Sequence, residues 1–103
     1  DDTIVVEAFV KRWLEYELDE GDVIKGIVRE ASGERFNVYF LNEKSFSDYL
    51  NDREFVYVGD EDVKSFSLDE YIDEDGSYYL TFDTNAVLFD RTVRVKIRRV
   101  RYA

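Results

Sequence analysis

The chain has 103 residues and a mass of 12.2 kDa, about one domain's worth. It carries 24 acidic and 14 basic side chains, a formal charge of −10, 45% hydrophobic residues and 17% aromatics; an acidic disordered tail is excluded, because such tails lack the apolar surface that offsets chain entropy. The absence of His and Cys excludes Ser-His-Asp and Cys-His mechanisms, the usual structural zinc sites and any disulfide, and apolar runs such as Val38–Leu41 fall far short of the ~20 residues of a membrane-spanning helix.

From Ile4 the even positions Ile4, Val6, Ala8 and Val10 are apolar, and after Arg12 the pattern resumes at Leu14, Tyr16 and Leu18. A period of two marks half-buried strands. Phe9 and Trp13 fall on the opposite phase, which predicts a break between two strands near Lys11-Arg12. Asp19-Glu20-Gly21-Asp22 reads as a turn, Val23–Glu30 as a strand and Ala31–Glu34 as the next turn. Phe36–Leu41, rich in aromatic and β-branched residues, has the composition of a central strand.

Residues 42–52 are the least strand-like. Phe46, Tyr49 and Leu50 are spaced i, i+3, i+4, and Ser45 or Ser47 is a candidate N-cap, so one helical turn is expected. Glu54–Val58 resumes a strand, Gly59–Asp62 reads as a turn, and Ser65–Ile72 alternates again. Asp73-Glu74-Asp75-Gly76 is a strong turn signal, because Asp-Gly suits backbone angles with φ above zero. Tyr78, Leu80 and Phe82, then Val93, Val95 and Ile97, mark the last two strands. About eight strands at this spacing predict one all-β domain over residues 1–103, an antiparallel β-sandwich of jelly-roll or immunoglobulin-like type. The competing reading is α+β, with residues 42–52 lengthened into a helix.

Chemistry must come from carboxylates, Lys and Tyr. With 24 acids, pairs of carboxylates close in sequence arise by accident, and Gly21–Gly26 lacks the spacing and the Gly-Lys-Ser/Thr ending of a phosphate loop. A non-enzymatic domain without a cofactor is expected. Acid-rich loops are the candidates for Ca²⁺: Asp60 and Asp62, Asp73 and Asp75, and Asp83 and Asp90 flanking a third loop. None has the ligand spacing of an EF-hand, so the simpler reading is solvated turn acids and no metal.

Charge is uneven along the chain. Residues 91–103 hold six basic and no acidic side chains, whereas residues 1–90 hold eight basic against 24 acidic ones. A basic stripe suggests nucleic acid or an anionic membrane. Its alternation instead favours Arg94, Lys96 and Arg98 on the outer face of one strand, paired with Asp69 and Glu70 of a neighbouring one, and no nucleic-acid partner. A membrane span after residue 103 would make the stripe a juxtamembrane segment. With no Met in the sequence, the chain is expected to be a processed product. Tyr49, Tyr57, Tyr71, Tyr78, Tyr79 and Tyr102 could line a recognition surface, although packing at sheet rims is the default for such residues.

Two stretches carry a family resemblance. In Leu18–Gly26 one strand ends at Gly21-Asp22 and the next opens with Val23-Ile24; Gly76-Ser77-Tyr78-Tyr79-Leu80-Thr81-Phe82-Asp83-Thr84-Asn85 then precedes an alternating strand at Val93–Ile97. The chain resembles the GOLD domain of the p24 (emp24/gp25L) family and its prokaryotic relatives over roughly residues 12–101. Asn85 stands one place beyond the family's Asp-Asn, and the disulfide of the eukaryotic secretory members is absent. Prepeptidase C-terminal domains of secreted hydrolases are a second resemblance, implying an accessory binding or secretion role. The GOLD resemblance implies a compact β-sandwich that binds another protein, extracytoplasmic in a membrane-attached or secreted chain, with no catalytic residues. Partner contacts are expected in loops 42–52, 59–63 and 84–90, at Phe46, Tyr49, Asn85, Leu88 and Phe89. The alternative is an accessory domain that binds Ca²⁺ or carbohydrate.

Overall fold

The computed structural model describes residues 2–6, 10–84 and 90–101. Their strands are β1 (Asp2–Val6), β2 (Arg12–Leu18), β3 (Asp22–Glu30), β4 (Phe36–Asn42), β5 (Val58–Val63), β6 (Ser65–Tyr71), β7 (Gly76–Asp83) and β8 (Arg91–Arg101), with one helix, α1 (Glu43–Leu50), between β4 and β5. They form two four-stranded sheets, β1-β8-β3-β6 and β2-β7-β4-β5, and all pairings are antiparallel.

The pairs β1·β8, β2·β7, β3·β6 and β4·β5 are nested and fall alternately in the two sheets. The chain is therefore one long hairpin of four nested strand pairs rolled onto itself, and β3·β8 and β4·β7 seal the roll laterally. This is the connectivity of a jelly roll. In an immunoglobulin domain the first two strands share a sheet, whereas here β1 and β2 lie in different ones. The all-β sandwich expected from strand spacing is the observed architecture.

Alternation sets the core. Val6, Leu18, Ile24, Val28, Phe36, Val38, Phe40, Leu68, Leu80, Phe82, Val93 and Val95 all point between the sheets. Each such side chain contributes about 1.5–3 kcal/mol on burial. The reverse face of β4 is also covered: Tyr39 and Leu41 lie beneath α1, against Tyr49 and with Phe46 and Phe55 beside them. Phe36–Leu41 is thus buried on both faces, which explains its unbroken apolar run.

Three local expectations change. The helix extends from Glu43 to Leu50, and its N-cap is Asn42, whose Oδ1 accepts the Ser45 N–H at 2.9 Å; neither Ser45 nor Ser47 caps it. The strand expected at 54–58 begins only at Val58, and the expected turn Gly59–Asp62 is its body. Gly59 is required there by close approach: a Cβ would lie 2.1 Å from the Val38 carbonyl oxygen. The acids read as a turn because they are polar, yet an edge strand accommodates charge, and charge guards it against further pairing. The real reversal is Lys64 alone, prepared by a register shift opposite Phe36–Val38 and by Asp62 at φ 56.

The third change concerns the basic stripe. Strand β8 lies between β1 and β3 and does not pair with β6, so Asp69 and Glu70 are not its cross-strand partners. Its register sets Arg98 opposite Lys25 and Arg94 opposite Arg29. Two members of the stripe find acids: Arg91 Nη2 lies 3.9 Å from Glu34 Oε2, and Arg101 donates from Nε to Asp22 Oδ1 at 3.0 Å and from Nη2 to Asp19 Oδ2 at 2.9 Å. Asp22 is 1% exposed, and the Arg101 guanidinium beside it, with the Asp19 N–H, holds its carboxyl below the usual range.

Candidate functional site

The rolled hairpin leaves two edge strands, β5 and β6, adjacent on one flank of the sandwich. The segment 51–57 approaches this flank from α1. Phe55 turns inward against Tyr39 and Tyr49, with ring centroids 5.2 Å from each, and Tyr57 meets Tyr39 edge-on at 4.8 Å. Anchored on both sides, Val56 is held out into solvent, 84% exposed. Tyr71, at the end of β6, is 64% exposed, and Val58 is also exposed. An exposed apolar cluster of this kind, rimmed by charge, is the surface feature most often associated with a binding site.

Between these side chains lies a recess of about 190 Å³ whose lining includes Phe40, Tyr57, Val58, Glu70, Tyr71 and Tyr78. Its floor is rigid. Phe40 and Tyr78 stack at 5.6 Å with an 11° interplanar angle, and the Tyr78 hydroxyl donates to the Glu74 carbonyl at 2.6 Å. Its electrostatics are acidic: burial, then Asp73, Glu74 and Asp75, push the Tyr78 hydroxyl up, and burial, then Glu61, do the same for Tyr57. The Tyr57 hydroxyl donates to Glu61 Oε1 at 3.3 Å. The arrangement can receive an apolar or aromatic side chain and favours a neighbouring positive charge.

The residues singled out from sequence disperse. Tyr49 is buried; its hydroxyl donates to Asp83 Oδ2 at 2.6 Å, while Asn37 Nδ2 donates to Asp83 Oδ1 at 2.7 Å and Asn37 Oδ1 accepts the Asp62 N–H at 2.8 Å. Asp83 and Asp62 are thereby joined in a network that fastens α1 and β5 to β4. Phe46 is half-buried between Trp13, edge-on at 5.0 Å, and Tyr79, stacked at 3.8 Å. Asn85, Leu88 and Phe89 lie outside the described residues.

The candidate calcium ligands are divided between the two ends of the sandwich. Asp62, Asp83 and Asp90 lie near the end carrying the β3–β4 turn, whereas Asp73 and Asp75 lie at the opposite end; Asp60 is opposite Val38, inside β5. Asp75 Oδ1 accepts the Glu20 N–H at 2.6 Å, which ties two turns together. Among the described residues no group of three or more acids is placed to hold a metal ion. A cleft at the first end, about 550 Å³, has both of its arginines engaged with the chain itself: Arg91 Nε donates to the Arg35 carbonyl at 2.7 Å, and Arg35 Nη1 donates to the Asp62 carbonyl at 2.9 Å.

Sequence reasoning named Tyr57, Tyr71 and Tyr78 among six tyrosines that could line a recognition surface but did not separate them from Tyr49 and Tyr79, and it missed Val56 by placing it inside a strand. Compared with known proteins, the chain matches no protein-family model and no curated protein, so the GOLD resemblance rests on the two stretches quoted for it.

Proposed function

We propose that this domain is a non-enzymatic protein-interaction module, and that it receives a segment of its partner at the recess between β5 and β6. The observation that carries this reading is the exposed cluster Val56, Tyr57, Val58 and Tyr71 over the stacked rings of Phe40 and Tyr78. Aromatic residues are enriched in protein interfaces, where they offer large contact area at low entropic cost. Acid–base chemistry has little support: the carboxylates with resolved shifts, Asp22, Glu30 and Asp48, are all held below their usual range, the opposite of what a general acid at neutral pH requires. The GOLD resemblance points the same way and suggests an extracytoplasmic setting, in a membrane-attached or secreted chain.

The test is a partner captured by the wild-type chain and mapped by hydrogen exchange. The reading expects protection at residues 56–58 and 70–72, and loss of capture by V56E and Y71E variants that melt like the wild type. Protection confined to other surfaces would refute it. So would a melting temperature raised by a sugar or by Ca²⁺ with no effect of V56E and Y71E on protein capture, which would favour the carbohydrate- or calcium-binding alternative.

A further inference from the structure

The outer face of the β1-β8-β3-β6 sheet has a charge opposite to that of the protein. Ile24, Val28, Val93 and Val95 point into the core, so the residues between them on β3 and β8 point out. Arg94, Lys96 and Arg98 on β8 therefore lie beside Arg29, Ile27 and Lys25 on β3, as a grid of two rows and three columns. Asp69, opposite Lys25, is the acid on the described part of this face. Arg94–Arg29 and Arg98–Lys25 are like charges directly across a strand pair, an arrangement that destabilises a sheet. None of these five cations takes part in an ion pair within the described residues. Sheet stability offers no reason for such a grid.

The net charge of −10 does not prevent this face from attracting an anion. The acids Glu15 and Glu17 are exposed on the outer face of the other sheet. The outer faces of two packed sheets look in opposite directions, with a core about 10 Å thick between the sheets. An anion approaching the β3–β8 face meets the local positive charge first, with these acids on the far side of the sandwich.

We infer that this face docks the domain onto an anionic membrane surface. The cations stand together on one broad sheet face, where several anionic headgroups can meet them at once. Ile27 stands among them on β3 with Ser67 beside it on β6, and Tyr71, the one aromatic ring on the described strands of this face, sits at a corner and offers no run of platforms for successive bases. At one corner Val23, Val100 and exposed Tyr71 share the outward face, and a Tyr ring suits the boundary between headgroups and water.

The experiment is co-sedimentation of the full chain with vesicles of three-to-one phosphatidylcholine and phosphatidylserine, against pure phosphatidylcholine, at low and physiological salt. Binding is expected to the anionic vesicles, absent on the neutral ones and weaker as salt rises. Each headgroup-facing cation is worth about five-fold in partitioning, so K25Q/R29Q should lose at least ~10-fold and R94E/R98E more. Both variants should melt at or above the wild-type temperature, because they relieve like-charge pairs. Lack of binding to anionic vesicles would overturn the proposal, as would undiminished binding by both variants. Tighter binding to duplex DNA or RNA than to the vesicles would reassign the face to nucleic acid. None of the four substituted residues lines the β5–β6 recess, so failure here leaves the protein-binding reading standing.

Discussion

Glu30 offers a quantitative test of how the fold is held at the end of the sandwich where β3 turns into β4. Its buried carboxylate closes a ring of donors: Oε1 accepts from the Ser32 N–H at 2.5 Å, the Ser32 hydroxyl at 2.7 Å and the Glu34 N–H at 3.1 Å, and Oε2 accepts from the Thr92 N–H at 3.0 Å. Burial pushes this carboxyl up, and the hydrogen bonds from Ser32, Thr92 and Glu34 more than offset it, leaving the group below the ordinary glutamate range. Glu30→Gln keeps the shape and removes the charge. With the amide oxygen turned toward Ser32 and Glu34, the NH₂ group confronts the Thr92 N–H, donor against donor. An orphaned donor costs about 1–3 kcal/mol, and the remaining bonds lose their charge-assisted share. The expected loss is about 2–3 kcal/mol at pH 7, roughly 10 °C in melting temperature for a domain of this size. The pH dependence has a definite sign. A depressed folded-state pKa stabilises above the unfolded value of about 4.3 and ceases to do so as pH falls through the folded value. Denaturant titrations should therefore show the gap between wild type and E30Q fully open at pH 7 and closing below about pH 4. An E30Q protein within ~0.5 kcal/mol of wild type at pH 7 would refute the reasoning, as would a gap unchanged at pH 3.

A chain ending at residue 90 should fail to fold, because β8 is an interior strand that β1 and β3 both pair with; a cooperative melt by circular dichroism would contradict this. Gly26→Ala should cost more than about 2 kcal/mol in denaturant unfolding. A Cβ at that position would stand 2.1 Å from the Lys96 carbonyl oxygen, a backbone atom with no room to yield. Burial and the Asp83 carboxylate push the Tyr39 and Tyr49 hydroxyls far above the ordinary tyrosine range. Their neutral forms stabilise the fold fully below about pH 10, and that stability is lost as pH rises further. Tyrosinate absorbance should accordingly show these two ionising only with unfolding, and replacing both with Phe should remove that component.

What the sequence disclosed follows from how strongly each element depends on burial. Strands β2, β3, β6, β7 and β8 line a core, so their apolar residues alternate and their existence was legible. Strand β5 is a different case: as an edge it presents Gly59, Asp60 and Glu61 outward or to solvent, and nothing in that run separates it from a turn. The helix was half legible from Phe46 and Tyr49, but its start was misplaced because Asn42 also ends β4 and Ser45 resembles a cap. Neighbours across a sheet were the least legible. Asp69 and Glu70 were sensible partners for a basic strand by charge, yet strand order is decided by how the whole hairpin rolls. The recess suffered for the same reason, since Val56, Tyr71 and Tyr78 come from three separate segments that only the roll brings together.

The nesting of strand pairs also governs the order of events during folding. Asp2 pairs with Val95, while Phe40 pairs with Val58 across the short excursion through α1. Loop closure favours short separations, so β4·β5 is the pairing most readily formed early, with β3·β6 and β2·β7 requiring successively longer closures. As the chain emerges during synthesis, β3 can find β6 but stands with its other edge open until residues 91–101 appear. That edge carries Lys25 and Arg29. The cations that crowd β8 in the finished sheet would, in the unfinished one, place charge on a vacant edge and discourage two nascent chains from pairing through it.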